Sequence, residues 1–344
     1  LVPHPAAGFP LLSVTQHPSQ ARNPRLARNA VTSPSRMRPA LAIIIPCLNE
    51  ESALPLLLNE LEAALGSVPE DCLVVVVDDG STDGTPQRAL AYRSRTDRFS
   101  VEVLTVPYTM GHQEAIYQGL LFASTTTAER FVVMDGDGQD DPMALPAMLA
   151  DREASIVFVG RGARSESTGF KLGYALYRVL FRLVSGRGIN FGNYALIDRR
   201  VLGAVLDNAF VHFAAFLSKQ RVPSTTIISD RRARLGGSSK MGFDDLSMHA
   251  FRSLIEYSDR MLALFLKAFL YLSVLFLLSV LTIIGIKLFT PLAIPGWASN
   301  LSATMFNSLL LCLGFFVIGL MLSRNTHQRT RAGQHLYKRL ERTP

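Results

Sequence analysis

Apolar and polar positions alternate in blocks along the first half of the chain. Leu41–Pro46 (LAIIIP), Cys72–Val77, Val101–Val106 and Phe131–Met134 are short apolar runs closed by turn or acidic residues, which predicts four buried strands. Between them, Leu54, Leu57, Leu58, Leu61 and Leu65 recur at helical spacing. Asp83 stands where it would cap a second helix, and Gly111–Ala115 opens a third. Strands alternating with helices predict an α/β domain with a mainly parallel sheet. Ligands of such sheets bind outside the carboxyl ends of the strands. Asn49-Glu50, Asp78-Asp79 and Asp135–Asp137 all fall there, so three polar clusters converge on one edge.

The second half has a different pattern. Ala268–Ile286 is an uncharged run between Lys267 and Lys287, and Leu301–Ser323 is a second, rich in Leu and Phe. Each is about the length a bilayer crossing requires. The connector Thr290–Asn300 holds Trp297 and no Lys or Arg. Arg252, Arg260 and Lys267 precede the first run, and Arg324, Arg329, Arg331, Lys338, Arg339 and Arg342 follow the second. The positive-inside rule then predicts a two-helix hairpin with the α/β domain and C-terminus cytoplasmic, in the inner (plasma) membrane. Residues 324–344 form a basic tail that would also attract anionic lipid. Residues 244–261, and Phe170–Leu183, mix apolar and charged positions as a membrane-surface helix does; a core-facing helix reads the same way.

Charge and composition narrow the chemistry. The 344 residues carry a net charge of +7, which favours anionic partners: phosphates, nucleic acid or a membrane surface. The three cysteines form no CxxC pair, which argues against a zinc site or a disulfide framework. Residues 1–39 are expected to be a disordered tail or a start artefact, since residues 1–36 lack Asp and Glu and Met37 directly precedes the first strand. No GxGxxG follows the first strand, no Walker A sequence is present, and no nucleic-acid motif spacing occurs. What remains is Phe131–Pro142 (FVVMDGDGQDDP), a strand running into a loop dense with acid. Crowded carboxylates are costly without a compensating cation. Asp and Gln oxygens suit Mg²⁺ or Mn²⁺ held jointly with substrate phosphates. An EF-hand is excluded, because its sixth and twelfth positions, counted from Asp135, hold Asp140 and Pro146.

IIIPCLNEE, VVVVDDGSTDGT, MGHQEAIYQGL and MDGDGQDDP, in this order and spacing, resemble the family 2 glycosyltransferases of the GT-A fold. NFGNYALIDRR (Asn190–Arg200) and RRARLGGSSK (Arg231–Lys240) extend the resemblance to the polyprenyl-phosphate sugar transferases, over about residues 40–260. The resemblance implies a Rossmann-like nucleotide-sugar domain over residues 40–243, followed by interfacial helices and the hairpin of residues 262–323. Pro46, Asn49, Glu50 and Asp79 would line the base and ribose pocket, with Asp135 and Gly136 against the ribose and phosphate. Asp137 and Gln139 would ligate Mg²⁺ or Mn²⁺. Arg231, Arg234, Ser239 and Lys240 would meet the acceptor phosphate, with Asp137, Arg234 and Lys240 catalytic and Gly236-Gly237-Ser238-Ser239 a mobile flap. Where many members read Gly-Asp-Phe-Arg-Leu, this chain reads Gly192-Asn193-Tyr194-Ala195-Leu196. A lipid phosphate is already anionic near neutral pH, so loss of that acid is tolerable for a phosphate acceptor and less so for a hydroxyl.

The expectation is therefore a membrane-anchored inverting transferase. It would move a sugar from a nucleotide-diphosphate donor to polyprenyl phosphate, with no nucleic-acid partner and a homo-oligomer left open. A processive polysaccharide synthase would need a QxxRW sequence and further spans, and neither occurs. A catalytically weak membrane scaffold has only Asn193 and Ala195 in its favour.

Overall fold

Strand β1 (Leu41–Cys47) is the axis of the domain, with all seven residues buried. Its side chains alternate between two apolar layers. Ile43 and Ile45 join Leu54, Leu57, Leu58 and Leu61 of helix α1 (Leu54–Ala64) on one face. Ala42 and Ile44 join Ala115, Ile116 and Leu120 of helix α3 (His112–Ser124) on the other. A strand covered on both faces reads as a continuous apolar run, as it does here. This is a computed structural model. It describes residues 39–161, 181, 191–208, 210–236, 252, 255–290, 296–328 and 334–341.

The remaining strands are β2 (Cys72–Asp78), β3 (Phe99–Thr105), β4 (Arg130–Val133), β5 (Ile156–Arg161), β6 (Phe191–Asp198), β7 (Ser224–Ser229) and β8 (Lys338–Leu340). They form one sheet in the order β7-β5-β6-β4-β1-β2-β3-β8. The four expected strands make its parallel centre, β4-β1-β2-β3. β3 starts at Phe99, ahead of the expected Val101, so that Phe99 pairs with Cys72. β6 runs antiparallel between β4 and β5. Helix α2 (Thr85–Ala91) follows β2, where Asp83 accepts from Thr85 N–H at 3.0 Å while Gly84 occupies the N-cap position itself. Helices α4 (Leu145–Ala150), α5 (Arg199–Asp207) and α6 (Phe213–Lys219) complete the domain.

The two apolar runs lie within helices α7 (Ser258–Phe289) and α8 (Trp297–Gln328), each of 32 residues. Such a helix is about 48 Å long at 1.5 Å per residue. Both are long and apolar enough to cross a bilayer. They pack on each other through Phe265–Phe315 and Phe276–Phe306 and leave rows of Leu, Ile and Phe outward. At the entry to α7, Glu256 and Tyr257 are buried. Tyr257 meets Phe181 edge-on, and its hydroxyl bonds Ser218. The other residues of 170–183 and residues 241–251 lie outside the described residues.

β8 was not expected from the sequence. The chain beyond α8 returns to the sheet, where Lys338, Arg339 and Leu340 pair antiparallel with Thr105, Leu104 and Val103. Arg339, read above as part of a lipid-attracting tail, instead forms a two-pronged ion pair with Glu102 at 2.6 and 2.7 Å.

Candidate active site

The carboxyl ends of β1, β2 and β4 bring the polar clusters together. β1 hands over at Pro46-Cys47 to Asn49, whose φ of 57° is a left-handed value that Asn tolerates. The Asn49 side-chain oxygen accepts from Thr82 N–H at 2.7 Å, its own N–H donates to the Ser81 hydroxyl at 2.8 Å, and Glu50 N–H donates to Thr85 Oγ1 at 2.8 Å. The two loops thus brace each other. Asp78 and Asp79 are both buried. Asp79 accepts from Met110 N–H at 2.7 Å and Gly111 N–H at 2.9 Å, one per carboxylate oxygen. Burial raises its pKa, and these two donors oppose the rise. Gly111 presents that N–H from a φ of 94°, open to glycine but strained for other residues.

β4 ends in the acidic loop. Asp135 N–H donates to Asp140 at 2.9 Å and Gln139 N–H to Asp137 at 3.0 Å, so the loop is folded by its own carboxylates. Gly136 lies against β1: a Cβ there would come within 2.6 Å of Cys47 Sγ and 3.1 Å of Pro46 O. Pro46 and Gly136 therefore form a close backbone seam.

Residues 231–236 cross this loop. Arg232 N–H donates to Gln139 O and Leu235 N–H to Asp137 O, at 3.0 and 3.1 Å. The arginines then meet the acids one by one. Arg234 pairs with Glu50 and approaches Asp137 at 3.6 Å. Arg231 approaches Asp135 at 3.9 Å, and Arg232 bridges Glu60 and Asp141. Of the expected site residues, Pro46, Asn49, Glu50, Asp79, Asp135, Gly136, Asp137, Gln139, Arg231 and Arg234 meet at this edge. Ser239 and Lys240 lie outside the described residues.

His112 was quoted within a sequence motif but given no role. Its Nε2 lies 3.3 Å from Asp135 Oδ1 and 3.0 Å from the Asn193 side-chain amide. Burial opposes charge on the ring, but the hydrogen bond and charge of Asp135, with Asp140 and Asp79 behind, outweigh it and raise the pKa. The available signal was positional, since His112 follows the end of β3 at the same sheet edge. Asn193 is buried, and Ala195 is fully buried in β6 beside Val133 and Phe158. A small side chain thus fills the place of the family's arginine within an apolar layer.

Among the described residues, no three His, Cys, Asp or Glu side chains gather into a complete metal cage. The residues fit a metal shared with substrate instead. Arg234 and Arg231 already place positive charge 3.6 and 3.9 Å from Asp137 and Asp135. One or two carboxylates completed by phosphate oxygens is how Mg²⁺ is commonly bound.

A mostly parallel α/β core with acid and amide groups at its carboxyl edge, crossed by a basic segment, agrees with the GT-A-like fold expected from the sequence. The chain belongs to glycosyl transferase family 2, whose model matches residues 42–217, just over half its length. It is similar to an undecaprenyl-phosphate 4-deoxy-4-formamido-L-arabinose transferase of Yersinia enterocolitica, with 25% identity over 294 residues, 82% of this chain and 86% of the relative. A dodecaprenyl-phosphate galacturonate synthase of Rhizobium johnstonii is 31% identical over 113 residues, 33% of this chain and 32% of that one. Among solved structures, glucosyl-3-phosphoglycerate synthase from Mycobacterium tuberculosis, crystallised with Mn²⁺, UDP and glucosyl-3-phosphoglycerate, aligns with a TM-score of 0.49 and 18% identity. The alignment covers 64% of this chain and 80% of that one.

Proposed function

We propose that this glycosyltransferase moves one sugar from a nucleotide-diphosphate donor to polyprenyl phosphate, with inversion at the anomeric carbon, at the cytoplasmic face of the inner membrane. The observation that carries this reading is the basic segment laid over the acidic loop. It aims Arg231 and Arg234 at the carboxylates proposed to face the donor. Two phosphate-bearing substrates repel, and closely placed cations offset that repulsion. Asn49, Glu50 and Asp79 bind the base and ribose, and Asp135 with the Gly136 seam holds the sugar-proximal phosphate. Asp137 and Gln139 hold Mg²⁺ or Mn²⁺, which when bound neutralises charge on the leaving diphosphate. Arg231 and Arg234, with Ser239 and Lys240, take the acceptor phosphate. That acceptor is already anionic and needs no strong general base, which suits Asn193. The relatives that act on undecaprenyl and dodecaprenyl phosphate support a lipid phosphate acceptor.

The hairpin reading is supported from two sides. Charge asymmetry favours a cytoplasmic position for the start of α7 and the end of α8. The return of the chain to β3 after α8 supports a tail and a catalytic domain on one side of the membrane. A cysteine in Thr290–Asn300 should then react with an impermeant reagent from outside; labelling only from the cytoplasm refutes the topology. For the chemistry, labelled nucleotide release is measured across a panel of UDP- and GDP-sugars, with and without undecaprenyl phosphate. Release that depends on the lipid is expected. Equal release without it removes the lipid phosphate from the reading.

A further inference from the structure

Helix α3 is held at two places by the two ends of the membrane hairpin. Near its start, Gln113 Oε1 accepts from Phe213 N–H, the first residue of α6, at 2.6 Å. α6 is in turn tied to the entry of α7. Glu256 accepts from Val211 N–H at 2.8 Å and His212 N–H at 3.3 Å, and Lys219 Nζ donates to the Glu256 backbone oxygen at 2.6 Å and its carboxylate at 3.2 Å. Midway along α3, the fully buried Gln118 reaches the tail that follows α8. Its Nε2 donates to Gln334 O at 3.1 Å and its Oε1 accepts from Leu336 N–H at 3.0 Å, the pairing an adjacent strand would offer. Tyr337 meets Phe122 of α3 edge-on at 5.7 Å, and β8 with the Arg339–Glu102 pair secures the tail to β3.

The same helix feeds the active site. Met110 and Gly111, just ahead of it, supply the two N–H groups on Asp79, and its first residue, His112, faces Asp135. We propose that Gln118 and Gln113 are positioning residues through which the two legs of the hairpin hold α3, and with it Asp79 and His112, in the nucleotide-binding arrangement. The nucleotide part rests on the function proposed above; the mechanical part does not. A buried amide with both of its polar ends used inside the fold has little freedom to shift; loss of the tail would leave Nε2 only its bond to Glu114 at 2.9 Å and take the partner of Oε1 away, which would slacken the helix. Spatial continuity alone does not establish coupling, so the test reads coupling directly.

The experiment uses the full chain in phosphatidylglycerol-containing nanodiscs. It compares wild type, Gln118→Ala, Arg339→Glu, Glu102→Arg, the Glu102→Arg/Arg339→Glu exchange, a chain ending after residue 333, and that shortened chain carrying Gln118→Ala. Hydrogen exchange is followed over residues 108–118, and calorimetry follows UDP and GDP binding with Mn²⁺. Removing or unpairing the tail should speed exchange at Met110–Gln118 and weaken nucleotide binding by about fivefold or more. The charge exchange should restore both, and Gln118→Ala in the shortened chain should add little to the shortening alone. Unchanged exchange at Met110–Gln118 in the shortened chain overturns the proposal. So does a nucleotide affinity that stays at the wild-type value in that chain. If wild type binds neither nucleotide, the functional reading fails, and hydrogen exchange still decides the mechanical coupling.

Discussion

Two groups of carboxylates in the same domain are satisfied in opposite ways. Glu62 on α1 is buried and closed off by neutral donors. It accepts from the Tyr92 hydroxyl at 2.7 Å, the Ser94 hydroxyl at 2.7 Å, Arg95 N–H at 2.6 Å and Thr96 N–H at 3.1 Å. Glu50, Asp135 and Asp137 instead face basic side chains, two guanidiniums and the His112 imidazole, the last three contacts at 3.3 to 3.9 Å, and of these three side chains Asp137 also accepts from Gln139 N–H at 3.0 Å. Backbone and hydroxyl donors fixed in a loop make a carboxylate part of the architecture. Long side-chain cations can turn away and leave the carboxylates to another positive charge, so the second arrangement suits exchange. Acid density alone does not separate these cases; the chemical kind of the partner does.

The largest expected effect on this contrast is at Asp137. Asp137→Ala should lower turnover by about 10³-fold or more, the scale of several kcal/mol of lost charge stabilisation, while the melting temperature stays near wild type. Labelled-nucleotide release and a thermal melt on the same preparation check it. Full activity, or full wild-type activity in excess EDTA, would remove the metal role. Next is Arg234→Ala, expected to cost about 10²-fold in turnover with polyprenyl phosphate, since it removes positive charge between two phosphates. A merely structural arginine would lower stability and spare turnover.

Glu62→Ala should behave the other way. Removing the acceptor that four donors share, which leaves Arg95 N–H stranded while Tyr92, Ser94 and Thr96 keep other acceptors, should cost about 1–3 kcal/mol in urea unfolding, with turnover per folded molecule unchanged. A loss of turnover without a loss of stability would break the comparison. Glu62 also carries a pH signature. Burial alone would raise its pKa, but its hydrogen bonds from Ser94, Tyr92, Arg95 and Thr96 outweigh that and hold it below the ordinary value. Its stabilising effect is therefore present above the unfolded-state value of about 4.3 and is lost as pH falls through the lower folded value. The stability gap between wild type and Glu62→Gln should narrow as pH falls below about 4.3. A gap that widens there sinks the assignment. The smallest effect is expected from Asn193→Asp. With an anionic acceptor, turnover should change far less than the 10²-fold or more that a required general base supplies. A large gain would point to a hydroxyl acceptor.

Much of the parallel core was legible because β1, β2 and the Leu repeat of α1 show their burial directly in apolar periodicity. The strand-end clusters followed from that core, since parallel topology puts every β-strand exit on one edge. The antiparallel flank was less visible. β6 carries Asn193, Tyr194 and Ala195 in a pattern that reads as a motif before it reads as a strand. β8 was invisible, because three residues, Lys338–Leu340, have no periodicity, and their pairing partner lies far back in the chain. The roles of His112 and Gln118 were hidden for a related reason. One is defined by a carboxylate in the loop after β4 and the other by a tail contact 216 residues away.

That tail contact has a consequence for synthesis. Arg339 and Glu102 are 237 residues apart, so β3 is made long before its outer partner exists. Throughout that interval the β3 edge offers unpaired N–H and C=O groups to any passing strand. The edge closes only after both apolar helices have been made and Lys338–Leu340 have followed them. Contacts this distant in sequence form slowly, and open edges are where chains misassociate. A nascent chain that stalls before β8 is made would therefore remain a domain with one raw edge, prone to aggregation and exposed to proteolysis. In this chain β8, made after both apolar helices, seals the edge left open by β3.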